Sequence, residues 1–207
     1  MIYKIGEHTV RHGDIHNEIE INELTQNIKA NIFYSDPPWG SGNLKYWDTM
    51  NKKQNNIDTS TNNFNVDVFL GTVLDNAVKH TDGWVVIEYG KRWIDKVITM
   101  ATERGLIYCG QVETLYSGTH KMEIMFFRTD QKQSIDLTGI YHLKGYKCVK
   151  EIFKLLKPQQ NGIGMDLCCG MGYTAQACID NGLKFIGNEL NEKRLGKTIG
   201  RLQRGHK

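Results

Sequence analysis

The chain has 207 residues, 40% hydrophobic and 24% charged, which is enough apolar material for one buried core and too much for a disordered polymer. Its 26 Lys and Arg against 23 Asp and Glu leave a net charge of +3, which permits a polyanionic partner without demanding one. No apolar run approaches the roughly 18 residues of a membrane span, and Met1 to Glu7 lack the apolar stretch of a signal peptide, so a cytoplasmic protein without a membrane partner is expected.

The five cysteines, Cys109, Cys148, Cys168, Cys169 and Cys178, contain no C-x-x-C pair. An odd number with two adjacent members fits neither a disulfide framework nor a zinc site, so reduced thiols and no metal are expected.

In chain order, Thr9 to Asp14 reads as a short strand ending in a Gly-Asp turn, followed by a helix with Leu24 and Ile28 four apart. Ala30 to Ser35 is a β-branched and aromatic strand that Asp36-Pro37-Pro38-Trp39 must end, because two prolines forbid both helix and ladder bonding. Residues 40–65 turn to Gly, Ser, Asn, Lys and Thr around Tyr46 and Trp47, the composition of a long mobile loop. Val66 to Val78 has helical spacing, and Trp84 to Glu88 is a buried-strand run. A helix over roughly Lys91 to Arg104 precedes Leu106-Ile107-Tyr108 and Glu123 to Phe127, which can pair as an antiparallel hairpin. Val149 to Leu156 is helical, Ile163 to Leu167 a strand, Leu183 to Gly187 a strand, and Asn191 to His206 a final helix. Strands alternating with helices imply a mostly parallel sheet covered by helices.

Two segments carry chemistry. Asp166-Leu167-Cys168-Cys169-Gly170-Met171-Gly172-Tyr173-Thr174 lies where a strand turns into a helix, with two glycines that let backbone approach a ligand. Glu189 ends the next strand, where an acidic side chain can take ribose hydroxyls. The third glycine of the dinucleotide pattern is missing, which favours a mononucleoside-like cofactor. Asp36 to Trp39 combines a strand-end carboxylate, a rigid backbone carbonyl and a large aromatic face. An exocyclic adenine amine is a poor nucleophile until its N–H groups are bonded; Asp36 and the Pro37 carbonyl could do this while Trp39 stacks on the base. The plainer alternatives are a tight structural turn at the glycines and a proline-stiffened turn at Asp36.

With these residues the chain resembles the nucleic-acid amino-methyltransferases, whose D-P-P-[YFW] motif forms the catalytic pocket and whose D-x-F-x-G-x-G turn binds S-adenosylmethionine. The order, with Gly13-Asp14 and then Asp36 to Trp39 ahead of the glycine turn, resembles the circularly permuted β-group of adenine-N6 DNA methyltransferases. Tyr141 to Lys147, including His142, is similar to a degenerate H-P-T-Q-K-P segment, and Phe185 to Asn191 is similar to F-I-G-I-E-L-N.

The resemblance implies an α/β Rossmann-like methyltransferase fold in permuted order, with a mostly parallel seven-stranded sheet and a terminal antiparallel strand. It implies catalysis by Asp36, Pro37, Pro38 and Trp39, with S-adenosylmethionine held by Asp14, Asp166, Cys168, Gly170, Gly172, Glu189, Asn191 and His142. Cys168 stands where the family has phenylalanine. No Pro-Cys dipeptide occurs, which argues against covalent catalysis by cysteine.

The polar link between Phe127 and Tyr141 leaves no room for a separate recognition domain, so one domain over 1–207 is expected. Target contact then falls to Lys45, Tyr46, Trp47, Lys52 and Lys53 of the 40–65 loop, or to a partner subunit or second copy. Arg194, Lys197, Arg201 and Arg204 recur at helical steps and could face phosphates, as could Lys147, Lys150, Lys154 and Lys157. DNA is the expected substrate. RNA adenosine, the N4 amine of cytosine, and a role as a catalytically inactive nucleic-acid-binding subunit are the alternatives.

Overall fold

The computed structural model describes residues 1–39, 65–117, 120–158 and 161–205. The chain opens on a hairpin: β1 (Ile2–Ile5) pairs antiparallel with β2 (His8–His12) across a two-residue turn whose Gly6 lies at φ +55°. This first strand is absent from the sequence reading. Its signal, Tyr3 and Ile5 alternating ahead of a glycine turn, is too short to stand against an unassigned terminus.

α1 (Glu18–Thr25) follows, capped by the Asn17 side chain and ended by Gln26 in the left-handed conformation, so Ile28 lies outside the helix. β3 (Ala30–Ser35) stops at Asp36-Pro37-Pro38, as the missing proline N–H requires. α2 (Val66–His80) begins where the Asn65 side chain accepts from the backbone N–H groups of Asp67 and Val68. β4 (Thr81–Gly90) leads through a 3-10 turn, Lys91–Trp93, into α3 (Ile94–Thr102). A long hairpin, β5 (Ile107–Ser117) and β6 (His120–Arg128), comes next. α4 (Gly145–Leu156), β7 (Ile163–Asp166), α5 (Tyr173–Asp180), β8 (Lys184–Glu189) and α6 (Glu192–Gly205) complete the chain.

The sheet runs β1-β2-β8-β7-β3-β4-β6-β5 and has eight strands rather than the expected seven. The five central strands, β2, β8, β7, β3 and β4, are mutually parallel. Antiparallel pairing occurs at both margins, through β1 on one side and the β5–β6 hairpin on the other, rather than through one terminal strand. Side chains from α4, α5 and α6 fill a core on one sheet face with Ile32, Tyr34, Val86, Phe126 and Phe185. Those from α1, α2 and α3 fill the opposite face with Phe33, Val85, Ile87, Met125 and Phe127. Adjacent residues of β3 and β4 serve different cores because strand side chains alternate, which is why these strands read as continuous apolar runs.

Candidate active site at the sheet switch point

β7 and β3 are neighbours, yet the chain leaves them in opposite directions: β7 leads through α5 to β8 on one side, and β3 leads to β4 on the other. Such a divergence opens a crevice at the carboxyl ends of the strands, where open α/β sheets bind ligands. Both chemistry-bearing turns emerge there, the glycine turn from β7 and Asp36-Pro37-Pro38-Trp39 from β3.

The glycine turn is held at each end. Asp166 accepts from the Cys168 N–H at 3.0 Å and from the Thr174 hydroxyl at 2.6 Å, tying the start of the turn to the first turn of α5. Glu189 accepts from the Gly170 N–H at 2.7 Å and from the Asn191 N–H at 2.8 Å, so the end of β8 clasps the middle of the turn. Gly170 lies at φ +52° with nothing nearer than 3.9 Å to the place a Cβ would occupy, leaving that side of the backbone open. Gly172, at φ +81°, serves packing instead: a Cβ there would lie 2.8 Å from Thr198 Oγ1 and 2.9 Å from Thr198 Cα in α6. The Thr198 hydroxyl donates to the Gly170 carbonyl at 3.0 Å, and Arg201 donates to the Met171 carbonyl at 2.8 Å. Asn191 caps α6 by accepting from the Arg194 N–H at 3.1 Å.

In the second turn, the Trp39 indole N–H donates to Asp36 Oδ1 at 3.2 Å and the Tyr89 hydroxyl donates to the Pro38 carbonyl at 3.4 Å. Trp39 stands beside Tyr89, ring centroids 6.5 Å apart and tilted by 45°, and its indole lies only 3.1 Å from where a Gly90 Cβ would sit. Gly90 thus makes the space in which the indole rests.

The strand ends carry a row of acids across the sheet: Glu189 on β8, Asp166 on β7, Asp36 after β3 and Glu88 on β4. Burial raises the carboxyl pKa of Asp166, 3% exposed, to about 7 against its bonds to Thr174 and Cys168, with the Glu189 and Glu88 charges adding to the rise. Burial likewise raises Glu88, 8% exposed, to about 7 although the Tyr34 hydroxyl donates to it. Glu189, 7% exposed, is also raised by burial, opposed by its two backbone N–H bonds and by Arg194.

Burial raises Asp36 well above the usual carboxylate range, the Glu88 and Asp166 charges add to this, and the Trp39 bond and Arg194 oppose it. The Asp36 side chain nonetheless keeps an opening to solvent.

Asp14 is exposed at the end of β2 and accepts from both the backbone and the imidazole of His16, at 2.9 and 2.7 Å. Its loop is shaped from below by Arg11, only 1% exposed, which donates to Asn188 Oδ1 at 2.8 Å and pairs with Glu20. A side chain at Gly13 would collide with the Arg11 guanidinium.

His142, at φ +64°, is exposed with its ring against Tyr141, and no contact among the described residues joins it to the glycine turn. Tyr146 instead meets the turn, its ring 6.2 Å from Tyr173. Cys168 and Cys169 have their thiol pKa values pushed up by burial, which keeps them protonated.

The five target-loop residues, Lys45, Tyr46, Trp47, Lys52 and Lys53, lie outside the described residues. The expected phosphate stripes are partly engaged elsewhere: Arg201 stacks over Tyr173, and Lys150 pairs with Asp180 at 3.0 Å. Sequence reasoning missed Glu88, Tyr34, Gly90 and Thr198 as site residues, and Arg194, expected as a phosphate contact, acts on Glu189 and Asp36. The available signal for Glu88 was a charge closing the otherwise continuous apolar run Trp84 to Ile87.

No family model and no curated protein matches the chain. Solved structures do. M1.HpyAVI superimposes with a TM-score of 0.67 at 17% identity over 93% of this chain and 97% of its own. The cytosine-N4-specific PvuII DNA methyltransferase gives 0.64 at 12% identity over 98% and 95%. The chain has the methyltransferase fold. TTHA0409 of Thermus thermophilus, described as a DNA modification methylase, gives 0.66 at 12% over 96% and 95%, and both it and M1.HpyAVI have also been solved with S-adenosylmethionine.

Proposed function

We propose that this chain is an S-adenosylmethionine-dependent methyltransferase acting on the N6 amine of adenine in DNA. The observation that carries the proposal is the meeting of the Asp36 turn and the glycine turn at one switch point, on adjacent parallel strands.

The site fits the cofactor. The Gly170 backbone is open on one side, and each Glu189 oxygen accepts one N–H and keeps a lone pair for a ribose hydroxyl. Asp166, Cys168, Gly172 and Asn191 shape that cradle, and Asp14 borders it. His142 belongs to the segment leading into α4. When bound, S-adenosylmethionine supplies an electrophilic methyl group.

The chain's own groups prepare the nucleophile. Trp39 holds one Asp36 oxygen and leaves the other to accept an N–H from the target amine, while the Pro37 carbonyl accepts the second N–H. These bonds return the amine lone pair from the ring toward nitrogen. Trp39 offers a face against which an extruded base can stack, and the buried Tyr89 ring supports it from behind. Pro38 fixes the turn through its bond from Tyr89.

The short polar link between Phe127 and Tyr141 supports target contact by Lys45, Tyr46, Trp47, Lys52 and Lys53, or by a partner subunit or second copy. The order of the motifs supports the circularly permuted β-group reading. The likeness to the PvuII enzyme favours cytosine N4 as the second reading, against which stands Asp36 in place of the serine with which N4 enzymes commonly begin the motif.

The test is incubation with S-adenosylmethionine and duplex DNA, single-stranded DNA or RNA, followed by nucleoside mass spectrometry. N6-methyladenine from DNA is the expected product. N4-methylcytosine, or modified RNA alone, would replace the target assignment.

A further inference from the structure

The β3–β4 register pairs Ser35 with Ile87 and so brings position 36 level with position 88 on the next strand. Tyr34 and Val86, two residues back on each strand, both enter the same core, so Asp36 and Glu88 share that face of the sheet. Glu88 is buried and receives the Tyr34 hydroxyl, whereas Asp36 opens to the cleft. Two carboxyl groups level on neighbouring strands, one sealed and one open, place like charges close enough for each to influence the other's ionisation.

We infer that Glu88, held by Tyr34, is a positioning residue whose charge sets how readily Asp36 accepts the proton that a methylated amine must shed. The inference rests on the amino-methyltransferase reading. As the amine nitrogen bonds to the methyl carbon, the bond from that carbon to sulfur breaks and its electron pair stays on sulfur. The nitrogen then carries one surplus proton, which passes to the free Asp36 oxygen and from there to solvent. A lone exposed aspartate is a weak acceptor at neutral pH, and a second negative charge beside it makes it a stronger one.

The Cys168 thiol, which burial keeps protonated, also faces Asp36. Asp166 on β7 acts in the same direction as Glu88 on Asp36, while Arg194 on α6 and the Trp39 indole oppose it. On its covered side Glu88 faces Tyr34 and the Cys148 thiol of α4, which burial keeps protonated. Glu88 is therefore the neighbour whose removal changes the charge beside Asp36, and it makes none of the hydrogen bonds of the glycine turn, although its removal also relieves the rise at Asp166.

The experiment follows the indole N–H resonance of Trp39, identified by its loss in Trp39→Phe, from acid to mildly alkaline pH in the full chain. Its bond to Asp36 makes it a reporter of that carboxylate. The wild type titrates above the ordinary carboxylate range. Glu88→Gln lowers the midpoint by about one pH unit, a tenfold change in ionisation constant, and Tyr34→Phe lowers it by less because it leaves Glu88 more protonated.

The acid limb of the pH–rate profile for methyl transfer moves in parallel. An unchanged midpoint in Glu88→Gln overturns the inference, and if that variant does not fold, an unchanged or raised midpoint in Tyr34→Phe does so. Wild-type protein that transfers no methyl group refutes the proposed function instead, and the titration still decides whether Glu88 controls Asp36.

Discussion

The Trp39 indole and the Asp36 carboxylate, three residues apart, are joined by a 3.2 Å hydrogen bond that closes the turn on itself. One oxygen of Asp36 is thereby oriented by the ring on which a base would stack. Stacking and hydrogen bonding are separable: Trp39→Phe keeps an aromatic face and loses the bond. It should lower kcat about tenfold, the cost of a hydrogen bond to a charged group, with a smaller change in KM. Trp39→Ala should also raise KM, since base stacking contributes about 1–3 kcal/mol. Steady-state kinetics on one DNA substrate checks both.

Glu189 grips the glycine turn, and the proposed function gives it the cofactor ribose. Glu189→Ala should weaken S-adenosylmethionine binding by roughly 10- to 100-fold, in line with about 1.5–3 kcal/mol for charged hydrogen bonds, and Glu189→Gln by less because one acceptor remains. Calorimetric titration of the cofactor into each variant measures this without any turnover.

Gly172→Ala would place a methyl group 2.8 Å from Thr198 Oγ1 at a backbone angle that side chains rarely adopt. A loss of about 1–3 kcal/mol in unfolding free energy is expected by chemical denaturation. Gly170→Ala meets open space, so its damage should fall more on cofactor affinity than on stability.

Stability should depend on pH through the buried acids. Glu88 and Asp166 have folded pKa values near 7, above their ordinary values of 4.5 and 3.8. Such groups hold their protons longer in the folded state, so their stabilisation is complete at low pH and is lost as pH rises through about 7. His80, lowered to about 4 by burial, acts oppositely and removes stability as pH falls below 6.5. Comparing variants isolates the acid: Glu88→Gln should flatten the fall in melting temperature between pH 5 and 8 and gain on the order of 1–3 kcal/mol at the alkaline end. A wild-type slope retained in the variant would contradict this.

The alternation of helix and strand was legible because β3, β4, β7 and β8 are short apolar runs bounded by Pro, Gly or charge, and Asp36, Gly170, Gly172 and Glu189 do converge at one strand-end crevice. Contacts between strands distant in sequence were not legible. Tyr34 and Glu88 are 54 residues apart and meet only through the β3–β4 register. Gly172 read as a ligand-approach glycine, yet it is constrained by Thr198 of α6, whose position depends on how that helix docks. β1 owes its place to the single partner β2, a pairing that its short Ile2–Ile5 segment could not announce.

Two readings on wild type and Asp36→Ala test the role of Asp36 in amine methylation: S-adenosylmethionine affinity, and labelled methyl transfer to DNA with the product nucleoside identified. N6-methyladenine is expected from the wild type, and from Asp36→Ala near-normal cofactor affinity with transfer reduced by at least roughly 100-fold. Equal loss of cofactor binding in Asp36→Ala, or transfer that survives the substitution, would contradict that role.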